Sequence, residues 1–266
     1  MYCFIDGAYA RKMLEDYTAK WFKEPTADFW ASAMSAGCDK TFYYDAPPPQ
    51  KEGETPDNYG ARLQATDAYL NSLRMNPGWH VFEGVTKKKG TKATQKEVDI
   101  LIAVDMLTHT HRKNTDRIRF IAGDLDFRPL IESVVRDGMY LELWYEPGHA
   151  APGLIHAADA KHPLDVFAMH GLLKPEYRQR HPLPQNAHGE REPNVNSGVL
   201  RARGYDGTGN HIAHLWESEP EDRWYITTVV PLVGTYHPMM YIERKHHDRL
   251  LQVWELKYGA LEWRPT

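Results

Sequence analysis

The segment that decides the fold is residues 117–138, RIRFIAGDLDFRPLIESVVRDG. It begins with a mostly apolar run typical of a buried strand, turns at Gly123, and continues from Phe127 with apolar residues at helical spacing until Gly138. Two carboxylates, Asp124 and Asp126, lie between the two patterns. The segment therefore predicts a strand, a tight turn and a helix, with acidic side chains where the strand ends.

The same alternation continues on both sides of this segment. Predicted strands cover residues 2–5, 40–44, 79–85, 117–122 and 139–145, and predicted helices cover residues 9–22, 58–74, 95–108 and 127–136. Largely apolar strands that alternate with helices form mostly parallel sheets covered on both faces. The predicted fold class is therefore α/β.

A change of composition predicts the domain organisation. Residues 174–198 are rich in Pro, Arg, His, Asn and Gly and are predicted to link a domain at 1–173, closed by a helical segment at 154–173, to a small α+β domain at 199–266. The second domain combines short strands with a helix near 243–258. Its many aromatic residues leave three roles open: a small core, a protein partner site, or homo-oligomerisation.

Composition limits the function classes. The chain has 266 residues, 42% of them hydrophobic, and a formal net charge of −4, so any nucleic-acid contact must come from local basic patches such as residues 87–96. Its two cysteines do not suggest a disulfide framework or a zinc site. Without a secretory pattern or a long apolar run, we expect a cytoplasmic protein that makes no membrane contact.

Four acids are the candidate site residues. Asp6 follows the first strand, Asp124 and Asp126 follow the fourth, and Asp99 interrupts an apolar helix near its start. The carboxyl ends of parallel strands meet at one edge, where α/β proteins bind ligands. Three of the acids also have a simpler interpretation, with Asp126 as a helix N-cap and Asp6 and Asp124 as turn residues. Together they fit a hard divalent cation, Mg²⁺ or Mn²⁺, and phosphoryl chemistry.

Three motifs resemble a known family. FIDG at 4–7, QKEVDILIAVDML at 95–107 and FIAGDLDFRPLIESVVRDG at 120–138 are similar to the NYN domain, a PIN-like nuclease family, over about residues 1–170. The resemblance implies a PIN-like three-layer sandwich that binds Mg²⁺ or Mn²⁺ through Asp6, Asp99 and Asp124, with Asp126 next, and cleaves RNA. Two positions depart from the family pattern, where Tyr9 replaces a common Asn and Ala122 a frequent Ser.

Lysines upstream of the Asp99 helix are the candidate substrate contacts. Lys96 is expected near a substrate phosphate, and so are the lysines of the preceding basic loop, although a solvated loop remains the alternative. The loop residues concerned are Lys87, Lys88, Lys89 and Lys92.

Three functional hypotheses follow. The first is a metal-dependent endoribonuclease in which a metal-activated water hydrolyses the phosphodiester. This hypothesis leaves open whether the substrate is RNA or DNA and whether one or two metal ions bind. The second is a catalytically weak NYN-like module that binds RNA or a protein. The third is a phosphohydrolase of the haloacid-dehalogenase type, which needs a second Asp two residues after the first, whereas position 8 is Ala.

Overall fold

The computed structural model describes residues 1–84, 87–89, 92–94, 96–187, 198–232 and 237–266, with the backbone alone described at 87–89, 92–94, 96 and 187. The chain divides into two compact units, Met1–Pro175 and Glu176–Thr266. Among the described residues, no helix is both long and apolar enough to span a membrane.

The first unit is built on a six-stranded, all-parallel sheet, which confirms the predicted α/β class. Its strands are β1 (Tyr2–Asp6), β2 (Lys40–Asp45), β3 (Trp79–Glu83), β6 (Arg117–Ile121), β7 (Tyr140–Tyr145) and β8 (Ala160–Pro163). Their spatial order in the sheet is β3-β2-β1-β6-β7-β8.

Helices connect these strands and pack on the sheet. They are α1 (Gly7–Phe22), α2 (Ala31–Met34), α3 (Pro56–Arg74), α4 (Lys96–His111), α5 (Arg128–Arg136), α6 (Pro152–Ala157) and α7 (Val166–Leu172). A short 3-10 turn (Leu125–Phe127) precedes α5, and a hairpin of β4 (Lys87–Lys89) and β5 (Lys92–Thr94) precedes α4.

Both faces of the parallel sheet are buried. Phe4 lies in register with Phe42 and Phe120, and these rings share one core with apolar residues of α4 and α5 such as Ile102 and Ile131. The alternate residues of the strands, including Cys3, Ile5 and Tyr43, are also fully buried. Burial on both faces explains why the strands are almost continuously apolar.

The end of the first unit differs from the prediction. Residues 154–173 were expected to be helical throughout, but β8 lies between α6 and α7 and pairs with β7 at the edge of the sheet. The strand is short, and three of its four residues are exposed, so its sequence, AKHP, has no apolar alternation to reveal it.

The second unit is an antiparallel six-stranded sheet with one long helix, which confirms the predicted α+β appendage. The strand order is β14-β10-β11-β12-β13-β9, and α9 (His247–Tyr258) follows β13. The strands are β9 (Gln185–Ala187), β10 (Val199–Tyr205), β11 (His211–Ser218), β12 (Arg223–Thr228), β13 (Met239–Glu243) and β14 (Glu262–Pro265). Helix α8 (Pro175–Arg180) and β9 lie within residues 174–198, the stretch predicted as a linker.

Candidate functional site

Acidic residues follow the two neighbouring strands between which the order of the parallel sheet reverses. From β1 the chain moves outward to β2 and β3, and then returns to place β6 on the other side of β1. The connections leave β1 and β6 toward opposite sides, so a crevice opens at their carboxyl ends, where α/β proteins bind ligands. Asp6 ends β1, and Asp124 lies three residues beyond the end of β6.

Asp6 caps α1 and has an unusually high pKa. Its Oδ1 accepts a hydrogen bond from the backbone N of Tyr9 at 3.1 Å, so the simpler role of the residue in local structure is real. Burial, together with weaker repulsion from the carboxylates of Asp99 and Asp45, raises the pKa of Asp6 to about 7 against the opposing effect of the cap hydrogen bond. A nearby cation would stabilise the ionised form of such a carboxyl group.

Gly7 permits the close turn after Asp6. A Cβ atom at this position would lie 2.6 Å from the hydroxyl of Tyr43 and 2.7 Å from the backbone oxygen of Tyr44. Since real Cβ atoms do not approach so closely, only glycine lets α1 begin directly at the end of β1.

Asp124, rather than Asp126, is the local cap. The backbone N of Asp126 donates to Oδ1 of Asp124 at 3.0 Å, which closes the 3-10 turn before α5. The residue before α5 is Phe127, and no side chain caps that helix. The alternative interpretation of Asp126 as a helix N-cap is therefore wrong, and its exposed carboxylate has no role in capping.

Asp99 is the electrostatic link between these acids. It lies in the first turn of α4 beside Val98, which is buried in the sheet core. Loss of hydration raises the pKa of Asp99, and repulsion from Asp124 and Asp126 raises it further. Electrostatic repulsion therefore couples Asp99 to the two acids after β6, and couples Asp6 at the end of β1 to Asp99.

The acids have the chemistry of a hard-cation site, although they do not converge into a closed group. Within the described parts of the chain, no three His, Cys, Asp or Glu side chains are arranged to hold a metal ion. Carboxylate oxygens are nevertheless the donors that Mg²⁺ and Mn²⁺ prefer, and burial, with added repulsion from neighbouring carboxylates, raises the pKa of Asp6 and Asp99. A cation would relieve that repulsion, so the donor set fits the predicted metal.

Two further acids nearby serve the fold. Asp45 ends β2 and is 1% exposed, with its Oδ1 2.8 Å from the guanidinium of Arg11 and its Oδ2 accepting from the hydroxyl of Tyr43 at 3.1 Å. Asp105 of α4 accepts a hydrogen bond from the hydroxyl of Tyr44 at 2.9 Å. Asp45 also follows a strand, so strand-end position alone does not separate the candidate ligands from a structural anchor.

The predicted substrate lysines lie in a part of the chain whose side chains the structure does not describe. Lys87, Lys88 and Lys89 form β4, Lys92 begins β5, and Lys96 begins α4. The segment predicted as a basic loop thus contains an antiparallel hairpin ahead of the Asp99 helix.

Tyr9 and Ala122, the two departures from the family pattern, both fill space beside the acids. The hydroxyl of Tyr9 accepts a hydrogen bond from the backbone N of Glu146 at 2.9 Å, and Ala122 is completely buried. A Cβ atom on Gly123 would lie 2.3 Å from the Tyr9 ring and 2.1 Å from the backbone oxygen of His149. Tyr9 therefore joins α1 to the segment after β7 and packs against the turn that holds Asp124.

A histidine that sequence reasoning missed strengthens this junction. Nδ1 of His149 lies 2.5 Å from Oε2 of Glu146, and its Nε2 lies 2.8 Å from Oδ2 of Asp16 in α1. The hydrogen bond with Glu146 raises the pKa of His149, burial opposes part of this rise, and the hydrogen bond with Asp16 adds to it. Nothing in the local sequence pairs positions 16 and 149, which only the fold brings together.

Comparisons with solved structures and with curated proteins add little on activity. A crystal structure of a protein of unknown function from Vibrio parahaemolyticus is similar at 15% identity and a TM-score of 0.45, covering 62% of this chain and 91% of that one. That likeness carries no information on function. No curated protein matches the chain.

A family comparison is more specific. The family model of the NYN domain matches residues 41–165, a range that includes Asp99, Asp124 and Asp126 but not Asp6. The match confirms, over residues 41–165 of the parallel-sheet unit, the resemblance to the NYN domain that the motifs predicted.

Proposed function

We propose that this protein is a metal-dependent endoribonuclease. The observation that supports the proposal most is the electrostatic coupling around Asp99, which links the acid at the end of β1 with the two acids after β6. The coupling lies in an NYN domain, a type of domain associated with nuclease activity and RNA binding.

The chain's own residues would divide the work. Asp6, Asp99 and Asp124 would hold Mg²⁺ or Mn²⁺, and Asp126 would complete or support that set. When bound, the ion would activate water and neutralise charge on the phosphodiester. Tyr9 and His149 would keep the turn that carries Asp124 in place, and lysines of the 87–96 hairpin would contact substrate phosphates.

A catalytically weak module that binds RNA or a protein is the second candidate. Two observations favour it: no described group of three acids is arranged to hold a metal, and Tyr9 and Ala122 replace small polar residues beside the site. The haloacid-dehalogenase alternative has no such support, because Ala8 cannot act as an acid.

One assay separates the candidates. Labelled RNA and single-stranded DNA are incubated with the protein and Mn²⁺, beside Asp124→Asn and the matched control Asp116→Asn. Asp116 is also exposed but directly precedes β6, at the opposite end of the strand. We expect the wild type and Asp116→Asn to cleave RNA at similar rates. The rate of Asp124→Asn should fall by about 100-fold or more, as when one group that stabilises the transition state electrostatically is removed. If all three bind RNA and none cleaves either substrate, the binding module is correct.

A further inference from the structure

A row of ring side chains begins at the end of β10 and runs along β11 in the antiparallel sheet of the second unit. Successive ring centroids lie 5.3 Å apart between Tyr205 and His211, 4.6 Å between His211 and His214, and 5.4 Å between His214 and Trp216. We call these four residues the ring row. All four remain partly exposed, and the Trp216 ring is oriented by a hydrogen bond from its Nε1 to the hydroxyl of Thr227 at 2.9 Å.

The ring row lies on the face opposite the start of α9. Trp216 is paired with Tyr225 of β12, so the two side chains share a face. Successive residues of a strand point to opposite faces, which places Trp224 on the other one. There the Trp224 ring stacks at 4.8 Å on His247, the first residue of α9.

Cationic groups border the ring row. Arg203 is exposed and directly opposite His214 in the β10–β11 pairing. Arg264 of β14 is paired with Arg203 and places its guanidinium 4.3 Å from the Tyr205 ring centroid. Glu262 offsets part of this charge, because its carboxylate accepts two hydrogen bonds from Arg264 at 3.0 Å each.

His214 belongs to the row as a ring rather than as a cation. Burial lowers its pKa, and the neighbouring His211 and Arg203 lower it further. The imidazole is therefore neutral at physiological pH and presents an aromatic surface beside a permanently charged guanidinium.

A spatial row of partly exposed rings, bordered by arginines, suits one class of ligand. Bases of single-stranded nucleic acid stack on such rings without regard to sequence, and the phosphates between them are attracted to guanidinium groups. Protein interfaces also use tyrosine, tryptophan and arginine, so a protein partner is an outcome that the test must distinguish from RNA.

We propose that the ring row, with Arg203 and Arg264, is a binding site for single-stranded RNA in the second unit. This inference rests on the proposed nuclease function, since it names the form of RNA that the enzyme takes. It assigns to the C-terminal unit the task of holding an unpaired strand and leaves hydrolysis to the acids of the first unit.

The test is the affinity of the full chain for a short fluorescein-labelled single-stranded RNA, measured by anisotropy without divalent metal so that no cleavage occurs. The variants are His214→Ala, Trp216→Ala and Arg203→Glu, with His247→Ala as the matched control on the opposite face. We expect each ring truncation to weaken binding by roughly fivefold to 100-fold, as for other stacking aromatics. Arg203→Glu should weaken binding and reduce its salt dependence, whereas His247→Ala should bind like the wild type.

Arg203→Glu changes an exposed residue, so it tests the site even where Trp216→Ala reduces stability, which circular dichroism would report. Unchanged affinity in Arg203→Glu and His214→Ala overturns the proposal. So does a result in which Trp216→Ala converts a dimer to a monomer without affecting RNA binding, because the face would then serve self-association. Failure of the nuclease proposal is distinguishable: the wild type would bind through the ring row yet leave RNA intact in Mn²⁺.

Discussion

Asp124 has to meet two demands at the scale of one residue. Its Oδ1 already accepts the backbone N–H of Asp126, and the proposed metal needs a second oxygen or lone pair from the same carboxylate. Asparagine can meet the first demand, because it is as good an N-cap as aspartate, but it is a poorer ligand for a hard cation. Substitutions at Asp124 and Asp126 therefore separate structure from chemistry.

The first prediction concerns Asp126→Asn. Asp126 is exposed and caps neither the 3-10 turn nor α5, so we expect its free energy of unfolding to change by less than about 0.5 kcal/mol. If its carboxylate supports the metal, cleavage in Mn²⁺ should fall by about tenfold to 100-fold. Urea unfolding and initial rates test the two parts, and full activity in Asp126→Asn would remove the residue from the site.

The second prediction concerns Gly123→Ala. The added Cβ would meet the backbone oxygen of His149 at 2.1 Å and the Tyr9 ring at 2.3 Å, and the backbone oxygen cannot rotate away. We expect a loss of about 1–3 kcal/mol in the free energy of unfolding, the usual cost of overpacking. Gly60→Ala is the control, since a Cβ there meets nothing within 4 Å and alanine favours the helix. Equal stability of the two variants would contradict the described packing.

At the scale of elements, the segment after β7 holds α1 and the Asp124 turn together. The backbone N of Ala151 donates to the oxygen of Gly123 at 3.1 Å, Tyr9 accepts from Glu146, and His149 bridges Glu146 and Asp16. Nζ of Lys12 also lies 2.8 Å from Oδ2 of Asp16, so the carboxylate of Asp16 interacts with both Lys12 and His149. The bridge depends on pH because the imidazole is its central group.

The third prediction is the pH dependence of this bridge. The pKa of His149 is raised above its ordinary value of about 6.5, so its contribution to stability is fully present below that pH and is lost as pH rises through the folded-state pKa. We expect His149→Gln to reduce the free energy of unfolding by about 1 kcal/mol at acidic pH and by less under alkaline conditions, since the groups are partly exposed. Urea denaturation at both pH values measures this.

The control for the bridge is His156→Gln. His156 is an exposed histidine of α6, so its replacement should affect stability little at either pH. A loss in His149→Gln that is the same under acidic and alkaline conditions would mean that the imidazole contributes by packing and not by charge.

Elements with a strong apolar pattern were predictable, and elements defined by backbone pairing were not. Runs such as Tyr2–Asp6 and Arg117–Ile121 are buried on both faces, so their composition shows them. Strands β8 and β9 are short edge strands joined to a neighbour by backbone hydrogen bonds, which any sequence can make. The same distinction applies to the site. The acids at the strand ends could be identified from the sequence, whereas the anchor role of Asp45 and the bridge at His149 depend on contacts between residues distant in sequence, and the cap role of Asp124 depends on local backbone geometry.

At the scale of the whole molecule, the chain combines two units with different kinds of sheet. The unit Met1–Pro175, built on the parallel sheet, contains all four candidate acids and the NYN match, and the antiparallel sheet of Glu176–Thr266 contains the ring row. Each unit has its own buried residues, such as Phe120 in the first and Trp254 in the second, both fully buried. This division suggests that binding and hydrolysis can be separated experimentally.

The fourth prediction is that a fragment of residues 1–175 folds and cleaves RNA. Its sheet and covering helices are complete within these residues, so we expect a cooperative unfolding transition. With the acids retained and the ring row absent, KM for single-stranded RNA should rise about tenfold or more while kcat changes little, since uniform binding is lost and the chemistry is not. Steady-state kinetics of the fragment beside the full chain measure both constants. A folded fragment with unchanged KM would show that the second unit does not hold the substrate, and a fall in kcat alone would show that it takes part in the reaction.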